Sequence, residues 1–251
     1  LIVGGGGAGG HGIGGGGGAG GVLFAEKINL PQNTFKISVG KGGTAFNKTW
    51  NGYASKTQTT INQSGENGYS SLIKIANDET KYIEVLGGGL GCSHGRINGS
   101  SGGSGGGNSK NTTITYDNVS GPVILSKSIP PVYNFDNIIN ENNSTYYGSD
   151  GFITTGIETT GGGGADITVQ LTNNTQTVLN GNDGVLINID GNDYYWGGGG
   201  GGSYFDNQSG NGGKGGGGGG GGDSNEAGTG GIFGITNGQD GTAVSGHSGV
   251  G

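Results

Sequence analysis

The first nine residues match a cofactor-binding pattern. A short apolar stretch, residues 1–3, precedes Gly4, Gly6 and Gly9 in the order G-x-G-x-x-G, and Glu26 lies at roughly the distance of a ribose-binding acid. The pattern binds a dinucleotide only where a helix begins at the glycines and its N-terminus holds the pyrophosphate. The residues that follow are mostly glycine, and each glycine costs about 1 kcal/mol relative to alanine in a helix. We therefore expect no helix here and no cofactor.

Cysteine and histidine form no recognisable metal or catalytic pattern. Cys92 and His94 are two residues apart, whereas His11 and His247 lie far away along the chain. A zinc site needs four ligands at suitable spacing. No G-x-S-x-G elbow occurs, and the histidines lie in glycine tracts that offer nothing rigid to position them. We expect no metal site and no catalytic residue, with Cys92 a small packed side chain.

Two segments rich in Asp, Asn and Gly, residues 180–184 and 190–193, have side chains of the kind that bind calcium. The EF-hand pattern fails in both because no Glu closes the loop. Asn, Asp and Gly are also the residues that tight turns favour. Both segments are therefore predicted to be turns between strands.

The composition excludes several classes of protein. The chain has 251 residues, 68 of them Gly, a formal net charge of −7 and one Cys. Without a Lys/Arg cluster, a nucleic-acid partner is not expected. There is no apolar run of about 18 residues that would cross a membrane, and a lone Cys forms no intrachain disulfide. The abrupt start at Leu1 suggests a segment of a longer or processed polypeptide.

The most glycine-rich stretch, residues 197–222, decides between disorder and an unusual kind of order. Glycine tracts normally behave as flexible linkers. Alternatively, they form polyproline II-type helices, which make no internal hydrogen bonds and leave every N–H and C=O for a neighbour. Aromatic residues precede the stretch at Tyr194–Trp196, which favours the ordered alternative. A run of eight glycines, from Gly215 on, would then extend about 25 Å.

Strand patterns alternate with the glycine runs. Residues 22–30 and 35–39 are predicted to form one hairpin, and residues 69–76 and 81–86 a second, with residues 77–80 as its turn. Residues 185–189 and 194–196 are further strands. Residues 112–160 lack glycine runs, and we interpret them as an inserted, loop-rich excursion within a single domain spanning residues 1–251. No segment has a helical period.

The order of these elements resembles the glycine-rich domain family. The resemblance covers strand-and-glycine segments along most of the chain except roughly residues 112–160: residues 1–10, 21–30, 35–40, 83–89, 196–202, 210–222 and 240–244. The family includes the extracellular glycine-rich segment of anaplastic lymphoma kinase-type receptors, and similar domains in virion proteins of phages and large DNA viruses. The resemblance implies an all-β fold, an antiparallel module of tumour-necrosis-factor-like or jelly-roll type with a bundle of polyglycine II helices and almost no α-helix. It carries no catalytic residues across.

The lone Cys and the Asn-rich composition fit a viral or microbial exterior protein better than a receptor of that kind. The expected function is a non-enzymatic virion structural or adhesion protein, located on the virion or an extracellular surface. Its expected partners are other virion or surface proteins, and a host receptor or glycan. A cell-surface receptor or adhesin, an ice-binding protein and an enzyme remain as alternatives. Tyrosine gives contact area at low entropy cost, and the predicted contact residues are Tyr53, Tyr133, Tyr146, Tyr147 and Tyr204.

Overall fold

The computed structural model describes residues 1–10, 14–26, 28, 30–45, 65–93, 98–108, 127–134, 143–152, 159–166, 179–203, 209–220, 222–223, 227–239 and 243–244. These residues contain short β-strands and no helix, so the predicted all-β class is confirmed for them. The strands are β1 (Ile2–Val3), β2 (Val22–Phe24), β3 (Phe35–Ser38), β4 (Ser71–Ile75), β5 (Asp78–Val85), β6 (Val132–Asn134), β7 (Thr145–Tyr147), β8 (Val185–Asn188), β9 (Asp193–Trp196), β10 (Gly222–Asp223) and β11 (Ala243–Val244).

The largest sheet has four antiparallel strands in the order β3-β4-β5-β6. The predicted second hairpin is confirmed as β4 and β5, although its turn is the shorter pair Ala76 and Asn77. Alternate residues of a strand face the same side. Ile83 and Val85 of β5 therefore face the same side, where they form a buried core with Leu23 of β2. This sheet therefore packs on the strand that leaves the first glycine runs.

A second sheet, β1-β2-β7, corrects the first predicted hairpin. In the described part of these segments, β2 pairs with β1 and β7, whereas β3 pairs with β4, so the two strands do not form the predicted hairpin. The turn signal after Leu30 was real, since residues 32–33 bend. Local pattern identified the strands, but their backbones pair with different strands at longer range, although Phe35 of β3 packs against the core that contains Leu23 of β2.

The hairpin of β8 and β9 is the predicted one, closed by a turn over residues 189–192. Ile187 lies in a second small core with Val22 and Ala165, and Trp196 packs against it. The Trp196 indole Nε1 donates a hydrogen bond to the Ile187 carbonyl at 3.2 Å, which satisfies the one polar group of this half-buried ring.

The fourth sheet is the parallel pair β10 and β11. Among the described residues none of the sheets closes into a barrel. The tumour-necrosis-factor-like or jelly-roll arrangement stays a prediction.

Glycine runs fill the space between the sheets and bond to each other laterally. Residues 14–21 form the central run, and every one of them is buried. Five other segments exchange backbone hydrogen bonds with the central run: residues 4–10, 86–92, 104–107, 160–163 and 200–203. A polyglycine II helix has three residues per turn, which explains why partners recur at every third residue.

The contact between the central run and residues 86–92 illustrates this repeat. The amides of Gly15, Gly18 and Gly21 donate to the carbonyls of Cys92, Gly89 and Leu86, at 2.7–3.0 Å. The two segments run antiparallel, and each step of three residues along one segment matches a step of three residues along the other. A buried backbone group without a partner would cost free energy comparable to a lost hydrogen bond, so this lateral pairing is what permits burial of the glycines.

The glycine-rich stretch from residue 197 is ordered where described, but it is neither straight nor central. The chain reverses at residues 214–216, where Gly215 and Gly216 have φ of 96° and 94°. Residues 210–213 and 217–220 then lie antiparallel, with the Gly217 amide donating to the Gly213 carbonyl at 3.1 Å. The expected 25 Å run from Gly215 is therefore wrong, because its first two glycines form a turn that the glycine pattern does not mark.

The segment 180–184, predicted to be a turn, is a further strand of the bundle. Its Gly181 and Gly184 amides donate to Asn211 and Lys214 carbonyls, both at 2.8 Å, with the three-residue step of the other runs. Asn182 is buried, and its side-chain amide donates to the Asp166 carbonyl at 3.0 Å. Asn182 therefore hydrogen-bonds to the backbone of a neighbouring segment and does not form a chain reversal.

The segment 112–160, interpreted as an excursion, touches both larger sheets where it is described. Its strand β6 pairs with β5, and its strand β7 pairs with β2. Ser149 accepts a hydrogen bond from the Gly105 amide at 2.9 Å through its carbonyl. These parts of the segment therefore belong to the same hydrogen-bonded structure as the glycine runs.

Candidate interaction surface

The five tyrosines predicted as contact residues fall into two groups. Tyr53 and Tyr204 lie outside the described residues. Tyr133, Tyr146 and Tyr147 are half-buried residues of β6 and β7. Tyr133 packs against the core of Leu23, Ile83 and Val85, so part of its ring is used within the domain.

Tyr146 is tied to the fold by its hydroxyl group. That hydroxyl lies at hydrogen-bonding distance of the Gly103 carbonyl and donates to the Ile129 carbonyl at 2.8 Å. Its ring stands where a side chain on Gly21 would otherwise lie. Burial raises the pKa of Tyr146 to about 12, although the Ser128 side chain opposes the shift. Tyr146 therefore closes the end of the central run.

Tyr147 points the other way along β7, because successive residues of a strand face opposite sides. It packs against the core formed by Val22, Ala165 and Ile187. Contact with an external partner stays a prediction for all five tyrosines.

An aromatic surface that the sequence did not single out lies on the outer face of β9. Tyr195 stands opposite Leu186 in the antiparallel pair, so the two side chains share one face. The rings of Tyr195 and Phe233 are 6.3 Å apart at 47°. Leu186 and Phe233 are 49% and 54% exposed. We call these three residues, with Lys214, the aromatic patch.

Lys214 anchors the patch to the bundle. Its Nζ lies 5.1 Å from the centre of the Tyr195 ring and 3.2 Å from a carboxylate oxygen of Asp183. The hydrogen bond to Asp183, followed by its charge, raises the pKa of Lys214. A cation over a tyrosine face is attracted by the ring quadrupole. The ammonium group therefore joins the patch to a segment whose backbone is fixed by the glycine lattice.

Phe233 has an uncommon backbone conformation for a bulky residue. Its φ is 64°, the one positive value outside glycine among the described residues. Left-handed backbone costs roughly 1–2 kcal/mol for a residue with a Cβ. The Phe233 carbonyl accepts the Tyr195 amide at 2.8 Å, which holds this conformation. Strain of this kind clusters at functional sites, and no sequence pattern could have revealed it.

Some of the residues considered for cofactors and metals take part in the backbone bonding of the fold. The Gly4, Gly7 and Gly10 amides donate to carbonyls of the central run at 2.8–3.0 Å, so the G-x-G-x-x-G segment is a bundle strand. Cys92 is buried, as expected, and its sulfur accepts the Gly15 amide at 3.2 Å. His11, His94 and His247 lie outside the described residues. Within the described ranges, no group of three His, Cys, Asp or Glu could hold a metal ion.

The turn at 189–192 has the predicted chemistry. The Asn188 side-chain oxygen accepts the Gly191 amide at 2.9 Å, and an Asp190 carboxylate oxygen accepts the Asn192 amide at 3.1 Å. These are bonds of a side chain to its own turn. The acidic and amide groups of this segment thus stabilise the reversal between β8 and β9.

An all-β fold built around a polyglycine bundle defines the class of protein. The family model for a glycine-rich domain matches residues 1–251, and the chain belongs to that family. No curated protein and no solved structure matches it. No helix in the described part of the chain has the length and apolar character needed to cross a membrane.

Proposed function

We propose that the protein is a non-enzymatic structural or adhesion component of a virion exterior, with the polyglycine bundle as its scaffold. The observation that carries the proposal is the central run, buried along its whole length and bonded to five other segments. Such a run fixes the backbone without a disulfide and with few large apolar side chains. An exterior protein needs this kind of rigidity, because it is exposed to proteases.

The surface supports a role in contact rather than chemistry. The aromatic patch combines exposed apolar rings and a cation on rigid backbone, and aromatic residues with low conformational freedom are enriched where proteins bind one another. Leu186 and Tyr195 lie on the β8–β9 hairpin, and Lys214 is ion-paired with Asp183 of the bundle. Binding a partner should therefore cost the patch little conformational entropy. The chemistry of the patch fits a protein or glycan on another particle component or on a host surface.

Mass spectrometry of purified virions from the natural source tests the proposal, with antibody labelling of intact particles in electron micrographs. We expect the protein in the particles and its label on the outside. Absence from purified particles would overturn the virion assignment. Presence instead on the shaved surface of cells would establish the alternative, a receptor or adhesin ectodomain.

The role of the patch is tested by Phe233→Asn. Asparagine adopts the left-handed conformation readily, so we expect unchanged or slightly higher stability together with weaker binding to particles or host cells. Ile189→Asn is the matched control, because it removes an exposed apolar side chain (49% exposed) that lies outside the patch, in the turn that joins β8 to β9. If both variants bound as well as the parent protein, the aromatic patch would not be part of the contact surface.

A further inference from the structure

Strand β3 lies at one edge of the largest sheet, and part of its apolar side-chain surface is exposed to solvent. In the part of the chain that the structure describes, its one strand neighbour is β4. Ile37 and Val39 are 68% and 83% exposed, although Ile37 stands opposite Ile73 on the face that leads to the buried Ile83. An exposed edge strand with apolar residues is a template for pairing with another chain.

The backbone polarity of β3 follows from its register. Ala76 donates to the Thr34 carbonyl at 2.8 Å, and these residues stand opposite each other one step beyond the Phe35–Ile75 pair. Hydrogen-bonded and non-bonded pairs alternate in an antiparallel ladder, so residues 36 and 38 direct their amides and carbonyls toward β4. The Gly40 amide also points that way, donating to the Ser71 hydroxyl at 2.9 Å.

Ile37 and Val39 therefore direct their backbone groups to the outer side of the edge. Both also carry side chains that strongly favour strands. A second copy of the same strand, running antiparallel, would pair with these outward backbone groups and would also cover the apolar side chains of Ile37 and Val39.

We propose that two copies of this chain join through β3 edges, with Ser38 of one copy opposite Ser38 of the other. The two sheets then continue into one sheet of eight strands. Each of the two Ile37–Val39 pairs exchanges two backbone hydrogen bonds. On one face of the joined sheet, Ile37 of each copy packs against Val39 of the other copy. On the opposite face, the two Ser38 side chains lie next to each other.

The pleat excludes a slip by one residue, and charge disfavours the pairing centred on Lys36. A slip by one residue would place apolar side chains opposite polar ones on the wrong face. A pairing centred on Lys36 would set two like charges opposite each other, which destabilises a sheet. In the proposed register Lys36 stands opposite Gly40 of the second copy, and its ammonium stays 3.7 Å from Glu79 of its own chain.

Cysteine cross-linking tests the register. Two residues 38 form a non-bonded pair with Cα atoms about 4.5 Å apart, within the roughly 4.4–6.8 Å that a disulfide requires. Two residues 36 are offset by about four positions, or about 13 Å. We expect Ser38→Cys to form a covalent dimer on mild oxidation and Lys36→Cys to stay monomeric. Faster cross-linking of Lys36→Cys, or none of Ser38→Cys, would overturn the proposal.

Sedimentation of the unmodified chain over a wide concentration range tests the dimer itself. We expect reversible association to dimers, and its loss in Ile37→Lys, which brings a charge into the apolar row. Ile235→Lys is the control, since Ile235 is 64% exposed outside this sheet. Because both side chains are exposed, both variants should fold. A monomer at every concentration, or equal loss of association in the control, would contradict the proposal.

Discussion

The central run, residues 14–21, and the later stretch, residues 210–220, are both mostly glycine, yet they occupy different environments. Every residue of the central run is buried, whereas residue 216 of the later stretch is exposed and its neighbours 214 and 215 are only half-buried. The central run is extended, and the later stretch contains a turn with two positive φ angles. Glycine serves close approach along the central run, whereas at Gly216 of the turn it serves backbone conformation, so the same substitution should have different consequences at the two places.

Gly16→Ala should have the largest effect. A Cβ at this position would overlap the Gly200 carbonyl and come within 2.8 Å of the Gly162 amide nitrogen. Both obstacles are backbone, which cannot rotate away as a side chain can. Overpacking of a well-packed core costs about 1–3 kcal/mol, occasionally more, and we expect about 3 kcal/mol or failure to fold. Denaturant unfolding measures the loss.

Gly6→Ala is the control for that substitution. Gly6 lies in the adjacent run, but an added Cβ would come no closer than 3.9 Å to the Gly18 carbonyl oxygen. We expect a change of less than about 0.5 kcal/mol, as for other surface substitutions. Equal losses in Gly6→Ala and Gly16→Ala would mean that glycine acts through flexibility rather than through lateral contact.

The pH dependence of stability tests how the central run is closed at Gly21. The pKa of Tyr146 is raised to about 12 from 10.0, so the folded state holds this proton more tightly than the unfolded state. This contribution to stability is complete below about pH 10 and is lost as the pH rises from 10 to 12. At about 1.4 kcal/mol per pKa unit, the loss approaches about 2–3 kcal/mol.

Denaturant midpoints between pH 9 and pH 12 would measure that loss, with Tyr146→Phe as the reference. Other tyrosines and lysines titrate in both proteins, so the difference between the two curves isolates Tyr146. The phenylalanine variant should be less stable near neutral pH and lose less on alkalinisation. Parallel curves would show that the Tyr146 hydroxyl is not held by the fold.

Gly216→Ala addresses the turn of the later stretch. Its nearest obstacle is the Thr236 carbonyl oxygen at 3.4 Å, an ordinary contact, but φ is 94°. The cost is therefore conformational, about 1–2 kcal/mol, and the fold should survive. Thermal unfolding would measure it; a loss as large as that of Gly16→Ala would erase the distinction between the two runs.

Gly42→Ala should have a small effect, opposite in sign to those of Gly16→Ala and Gly216→Ala. An added Cβ would lie 3.7 Å from the Gly6 carbonyl oxygen, and the residue is exposed with no positive φ. Alanine reduces the freedom of the unfolded chain and stabilises by about 0.4–1 kcal/mol where the backbone permits it. A higher melting temperature is expected, whereas a decrease would show an unrecognised contact at this edge.

The sequence determined the elements better than their partners. The hairpins β4–β5 and β8–β9 were predictable, because alternating apolar residues flank short turn signals. The separation of β2 from β3 was not, since Leu23 and Phe35 pack in one apolar cluster while the backbones of their strands pair with different partners. Polyglycine offers no side chains to encode a neighbour, so neither the central position of residues 14–21 nor the reversal at Gly215 could be inferred.

The candidate surface shows the same limit. Tyr146 was singled out for its residue type, whereas its hydroxyl is engaged by the Ile129 carbonyl. Tyr195 and Phe233 are 38 positions apart, and the Tyr195 amide donates to the Phe233 carbonyl where the two segments meet. No local pattern predicts a left-handed phenylalanine, because its conformation is imposed by contacts distant in sequence.

Residue-resolved amide exchange measured by NMR is the most direct test of order by lateral backbone bonding. We predict strong protection at Gly15, Gly16, Gly18, Ala19 and Gly21, whose amides donate to two different segments, residues 86–92 and 160–163, at 2.7–3.0 Å. Protection should be weaker at Gly216, on the exposed turn. Rapid exchange along the whole of residues 14–21, at the rate of an unfolded chain, would contradict the polyglycine bundle and the scaffold role that depends on it.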